Sequence, residues 1–80
     1  RTANATGHSA LVELRLEVEG RSIPLAQTAG DWIMVDTPED LPPCEGEVVI
    51  TVDGREHRTR VSLDAGISSD VERTPVRHLD

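Results

Sequence analysis

The 80-residue chain has one Trp, no Tyr and no Phe, so no aromatic cluster can organise its interior and the core must come from aliphatic residues. It has a single cysteine, Cys44, which excludes an intrachain disulfide and removes any need for an oxidising compartment. The cytoplasm is therefore the expected location. No apolar run reaches the roughly 18 residues of a membrane span, and no charged leader followed by an apolar stretch marks a signal peptide. Lysine is absent as well: all 8 basic residues are Arg, a bias that fits a G+C-rich genome better than 8 selected guanidinium contacts.

The net charge of -7 is unevenly spread. Over residues 1–30 three Arg balance three Glu, and over 54–80 five Arg balance five acids. The whole excess falls on Asp31, Asp36, Glu39, Asp40, Glu45, Glu47 and Asp53, with no basic residue between them. Such a segment repels phosphate, which argues against nucleic acid and anionic membranes as partners. If its charge gathers at one end of the fold, it would steer a basic protein partner.

What is present is alternation. Val12, Leu14, Leu16 and Val18 interleave with Glu13, Arg15 and Glu17, the pattern of a half-buried strand. Glu19-Gly20 then forms a two-residue loop that pairs Val18 with Arg21, Leu16 with Ile23, Leu14 with Leu25 and Val12 with Gln27. Pro24 lacks an N–H for a ladder, which predicts an edge position for this second strand. Asp53-Gly54 repeats the device, pairing Val52 with Arg55, Ile50 with His57, Val48 with Thr59 and Gly46 with Val61. On the opposite face Thr51 meets Glu56, Val49 meets Arg58 and Glu47 meets Arg60, so opposite charges face each other across the strands. Convergence on a good turn accounts for the two similar spellings, VEGR and VDGR, without a duplication.

Between the hairpins, Asp31 to Asp36 reads as a strand, and Thr37 to Pro43 as a loop or single helical turn. Ser68 to Arg73 has room for one turn of helix, and Val76 to Leu79 for a short strand that closes the sheet. The expected fold is all-β: a small antiparallel barrel or sandwich of five or six strands built on two tight hairpins. It occupies residues 11–80 as a single domain, since a second core would need roughly 50 more residues. Residues 1–10 are polar and patternless and are set aside as a disordered tail; the missing initiator Met also permits a domain cut from a longer protein.

Motifs of chemistry are scarce. The chain contains no P-loop, HExxH, CxxC pair, EF-hand loop or glycine-rich dinucleotide fingerprint. Gly7-His8-Ser9 lacks the strand and closing glycine of a nucleophile elbow, and the sequon at Asn4 needs a secreted context. Asp36, Glu39 and Asp40 offer oxygens to Ca²⁺, but the segment lacks the bending glycine of such loops, and a solvated acidic loop is the simpler reading. Catalytic, cofactor and metal residues are accordingly expected to be none. Cys44 and His57, with Arg58 or Arg60, form the alternative constellation for a small ligand-binding or catalytic domain. Against it, Cys44 reads as an apolar plug at the barrel end and His57 as a rim residue in mid-strand.

Trp32 is the sharpest residue. In a domain without other aromatics it is most simply the core anchor. Yet Trp32 and Met34 share one face of their strand while Ile33 and Val35 share the other, and only one face can meet a single small core. A Trp and Met surface flanked by Asp36, Glu39 and Asp40 is the kind enriched at protein interfaces. The function is not legible in the sequence; its best reading is a non-enzymatic module that binds another protein, or a second copy of itself, through that face or the acidic segment.

The stretch DLPPCEGEVVITVDGREHR, residues 40 to 58, resembles short bacterial all-β proteins of unknown function whose hairpins open on a similar Leu-Pro-Pro turn. The resemblance covers residues 11 to 67, rests on structural motifs, and implies no activity.

Overall fold

The computed structural model describes residues 11–79, so the expected tail at 1–10 lies outside the described residues. The chain runs β1 (Val12–Val18), β2 (Arg21–Thr28), β3 (Trp32–Val35), β4 (Cys44–Val52), β5 (Arg55–Leu63), β6 (Thr74–Pro75) and β7 (Arg77–His78). These form one antiparallel sheet in the order β6-β3-β2-β1-β4-β5-β7. The all-β class is as expected, with seven strands among the described residues rather than five or six because the last segment divides in two.

That division closes the barrel. Thr74 and Pro75 pair with Ile33 and Trp32 on β3, while Arg77 and His78 pair with Ser62 and Val61 on β5. The Val76 N–H donates to the Asp31 carbonyl at 2.9 Å and the Leu79 N–H to the Arg60 carbonyl at 3.1 Å. One short piece of chain thus touches both edges of the sheet, pairing with two residues of each, while Arg55–Thr59 of β5 keeps a side without a strand partner among the described residues.

Both hairpins have the expected loops. Glu19 and Gly20 have φ of 49° and 78°, and Asp53 and Gly54 have 51° and 85°, the positive pair that a type I′ turn demands. The pairing of β4 with β5 follows the expected register from Val52–Arg55 to Cys44–Leu63. Glu47 stands opposite Arg60 as expected, but its ion pair forms diagonally with Arg58, and Arg60 reaches Glu45 only at 4.0 Å. Sheet twist brings diagonal neighbours within reach of long side chains, and these compete with the directly opposed ones.

β2 is not an edge strand, contrary to expectation, but lies between β1 and β3. Pro24 is tolerated because its carbonyl, which accepts the Asp36 N–H at 3.0 Å, faces β3 just where that strand ends. A residue's N–H and C=O point to the same side of its strand, so the missing donor is lost from the end of the β2–β3 ladder and not from β1. A bulge between Leu25 and Gln27 then turns β2. The β1–β2 register accordingly ends at Arg15–Pro24, short of the expected Leu14–Leu25 and Val12–Gln27 pairs. The free start of β1 instead engages the second hairpin, where the Asp53 N–H donates to the Leu11 carbonyl at 2.9 Å and Asp53 Oδ1 accepts the Leu11 N–H at 3.0 Å.

The interior is aliphatic throughout: Leu16, Val18, Ile23, Leu25, Ile33, Val48, Val61, Leu63 and Ile67 form one cluster. Ile67 enters from the loop after β5, held by reciprocal backbone bonds with Leu41 of 2.8 and 2.9 Å. No helix occurs among the described residues, and none is therefore long and apolar enough to cross a membrane. Residues 37–43 form a loop, the first of the two forms expected there, with Leu41 bridged to Ile67, while in place of the helical turn expected at 68–73 the Val71 N–H closes a tight turn on the Ser68 carbonyl at 3.0 Å.

Candidate interaction surface

Strand periodicity places Ile33, fully buried, inside the barrel and Trp32 and Met34 on its outer face, where both stay partly exposed. Trp32 is not the core anchor; the core closes without it. Its ring instead carries the Arg73 guanidinium 4.7 Å from the centroid, a cation–π contact delivered because Thr74–Pro75 runs alongside β3.

Beside Met34 a groove of about 360 Å³ opens between the chain leaving β3, at Asp36 and Pro38, and the turn Ser68 to Glu72. Its two walls are tied together. The Leu41–Ile67 bridge joins them at the base, and Asp40 Oδ1 accepts the Ser69 N–H at 2.8 Å. Gly66 makes the join possible, since its φ is 69° and a Cβ there would lie 2.1 Å from the Leu41 carbonyl oxygen. The groove carries Met34 and Val71 as apolar contacts, Val71 being 47% exposed. Asp36, Asp70 and Glu72 line it too, and none of the three forms a salt bridge with another described residue.

Of the residues singled out in the sequence, the fold brings together Trp32, Met34 and Asp36. Glu39 turns to Arg21 at 2.9 Å, and Asp40 is occupied by the Ser69 backbone. Nor does the acidic segment collect at one end, as an acidic steering patch would require. Asp31 and Asp36 flank β3 at opposite ends, Asp53 caps the second hairpin, and Glu39, Glu45 and Glu47 have arginine partners. No group of three or more His, Cys, Asp or Glu suited to a metal ion occurs among the described residues.

The alternative constellation does not converge. His57 is exposed opposite Ile50 and Cys44 lies opposite Leu63, six positions or about 20 Å along β4. Burial, and then the charge of Glu19, raises the Cys44 thiol pKa above its ordinary value, which makes it a poorer nucleophile at neutral pH. Arg58 is saturated by carboxylates. Its Nη1 donates to Glu17 at 2.7 Å and Glu47 at 3.1 Å, and its Nε and Nη2 donate to Glu56 at 3.1 and 3.0 Å.

This last set belongs to a second feature of the surface. On β1, Arg15 donates to Glu17 at 3.0 Å and to Glu56 at 2.9 Å, so two arginines and three glutamates form one network over β1, β4 and β5. Val49 stands directly between Arg15 and Arg58 and is fully buried on this outer face, apart from the inner core. The arginine stems flank it while their heads satisfy the carboxylates. The hydrogen bonds from Arg58 and then Arg15 hold the Glu17 carboxyl below its usual range; those from Arg15 and then Arg58 do the same for Glu56. Asp64, chelated by Arg77 at 2.9 and 3.1 Å and bonded by Ser62, is lowered to about 2.

A smaller opening of about 280 Å³ lies at the barrel mouth among Val48, Ile50, Val61 and Val76. His78 sits at its rim with Nε2 donating to the Gly30 carbonyl. The residues that sequence reasoning missed are Asp70, Val71, Glu72 and Arg73. The signal was a lone apolar residue between two acids, with no periodicity to give it a direction.

Fold and surface together define a small antiparallel β-barrel domain with one outer face closed by its own charges and another left open. Comparison with protein-family models, with curated proteins and with solved structures finds no match for the chain.

Proposed function

We propose that this domain is a non-catalytic protein-interaction module that engages its partner through the outer face of β3. One observation carries the reading: Trp32 and Met34, the chain's single Trp and single Met, sit outside a core that is complete without them. Trp and Met are enriched where proteins meet, and a partly exposed pair beside a groove is disposed to be covered. The partner is another protein or a second copy of this chain. Nucleic acid and anionic membranes are disfavoured by the acidic balance, and the lone Cys44 suits the cytoplasm.

The test is site-specific photo-crosslinking in cells that make the protein naturally. A benzophenone side chain at position 34 is expected to give a discrete protein adduct, and one at position 58, in the closed network, is not. Adducts from position 58 alone, or from neither position, overturn the reading. Light scattering of the purified chain separates a self-adduct from a foreign partner.

A further inference from the structure

We infer that the occupant of the groove between β3 and the Ser68–Glu72 turn is a basic segment of another protein that inserts an aliphatic side chain between Met34 and Val71. This rests on the interaction reading above and gives its partner a chemistry. Glu17, Glu39, Glu47 and Glu56 each have an arginine within 3.1 Å. Asp36, Asp70 and Glu72 form no salt bridge among the described residues, as is also true of Glu13, Glu19, Asp31, Asp40 and Asp53, but these three gather around one groove beside Met34 and Val71.

Three unanswered carboxylates around an apolar floor raise the local concentration of cations and favour Lys or Arg at the rim. The floor is too small for a folded interface but suits one anchoring side chain, since the groove measures about 360 Å³ and its apolar lining is Met34, Val35, Pro38 and Val71. Arg73, drawn over Trp32 at 4.7 Å, lies beside the groove without forming a salt bridge to its carboxylates. It leaves their charge to the incoming segment.

Selection of a random 12-residue peptide library displayed on phage against the folded domain tests this. Enriched peptides are expected to carry two or more Lys or Arg around one Leu, Ile, Val or Met. A synthetic copy of the strongest is expected to lose affinity roughly tenfold on Asp36→Asn/Asp70→Asn/Glu72→Gln, and similarly between low and high salt. Val71→Ser is expected to weaken it without changing the salt dependence, and chemical-shift mapping of each variant verifies that it stays folded. No enrichment, neutral or acidic peptides, or binding untouched by the triple variant overturns the inference. Peptides that map to Trp32 and Met34 without being basic overturn it while leaving the interaction reading standing; failure of the crosslink at position 34 defeats that reading itself.

Discussion

On the outer face of β4, Val49 is wholly buried beneath Arg15 and Arg58, whose guanidinium groups satisfy Glu17, Glu47 and Glu56. On the outer face of β3, Met34 and Trp32 stay partly exposed, and the nearby Asp36, Asp70 and Glu72 have no salt-bridge partner among the described residues. Both faces arise from strand alternation, yet one is finished by its neighbours and the other is not. The difference comes from position in the sheet. β4 has long strands on either side that supply a full complement of arginine and glutamate. β3 has only four residues and meets two-residue β6 on one flank, so no long strand among the described residues crosses its outer surface. Ion pairs on an exposed face add little individually, and the network matters mainly as a lid that keeps Val49 dry.

The largest effect on this contrast should come from breaking the frame of the open face. Gly66→Ala adds a Cβ that would lie 2.1 Å from the Leu41 carbonyl oxygen in a residue with φ of 69°. Left-handed strain plus overpacking makes a loss of about 3 kcal/mol or more the expected result, measured by denaturant unfolding. Next comes a direct contest between the faces. Val49→Ala deletes two buried methyl groups and is expected to cost about 2 kcal/mol, whereas Met34→Ala is expected to cost less than about 1 kcal/mol. Equal costs would mean that Met34 belongs to the fold and not to a contact surface.

Acid sharpens the comparison differently. Glu17 and Glu56 have folded pKa values below their ordinary ones, so their contribution is fully present above the unfolded carboxylate range and is lost as pH falls through the folded values. Asp64, at about 2, is the last to go. Arg58→Ala should move the Glu17 and Glu56 titrations back toward ordinary values in carbon-13 carboxyl spectra and shift acid unfolding to higher pH. The smallest effect concerns a turn outside both faces. Glu19 holds φ of 49°, a conformation that Asn tolerates better, so Glu19→Asn is expected to stabilise by about 0.5 kcal/mol.

The hairpins were legible in the sequence because each is local: alternation and a Glu-Gly or Asp-Gly loop determine register with no other element involved. Val48–Thr59 and Leu16–Ile23 are paired as that logic requires. The place of β2 was not legible, since Pro24 excludes a donor on one side only and the side depends on where β3 stops. The diagonal salt bridges needed the twist, and the cover over Val49 needed the β1–β4 pairing, which sets Arg15 opposite Val49 across a long stretch of chain. For the surface, the parity of Trp32 and Met34 could be read directly, but their exposure could not. Whether an alternating four-residue strand hides its second face depends on neighbours, and here those come from the C-terminal turn. The acidic segment misled for a related reason: Glu39, Glu45 and Glu47 lack basic neighbours in sequence and find them across strands.

The account turns on Trp32 lying outside the barrel, and the chain's only tryptophan reports on that by itself. Acrylamide quenching of the folded protein's fluorescence is the most direct measurement. The expected result is red-shifted emission, a quenching constant that is a substantial fraction of the unfolded chain's, and a further rise on Arg73→Ala as the ring loses its cover. Blue-shifted emission that resists the quencher and ignores Arg73→Ala would put Trp32 in the core and contradict the account.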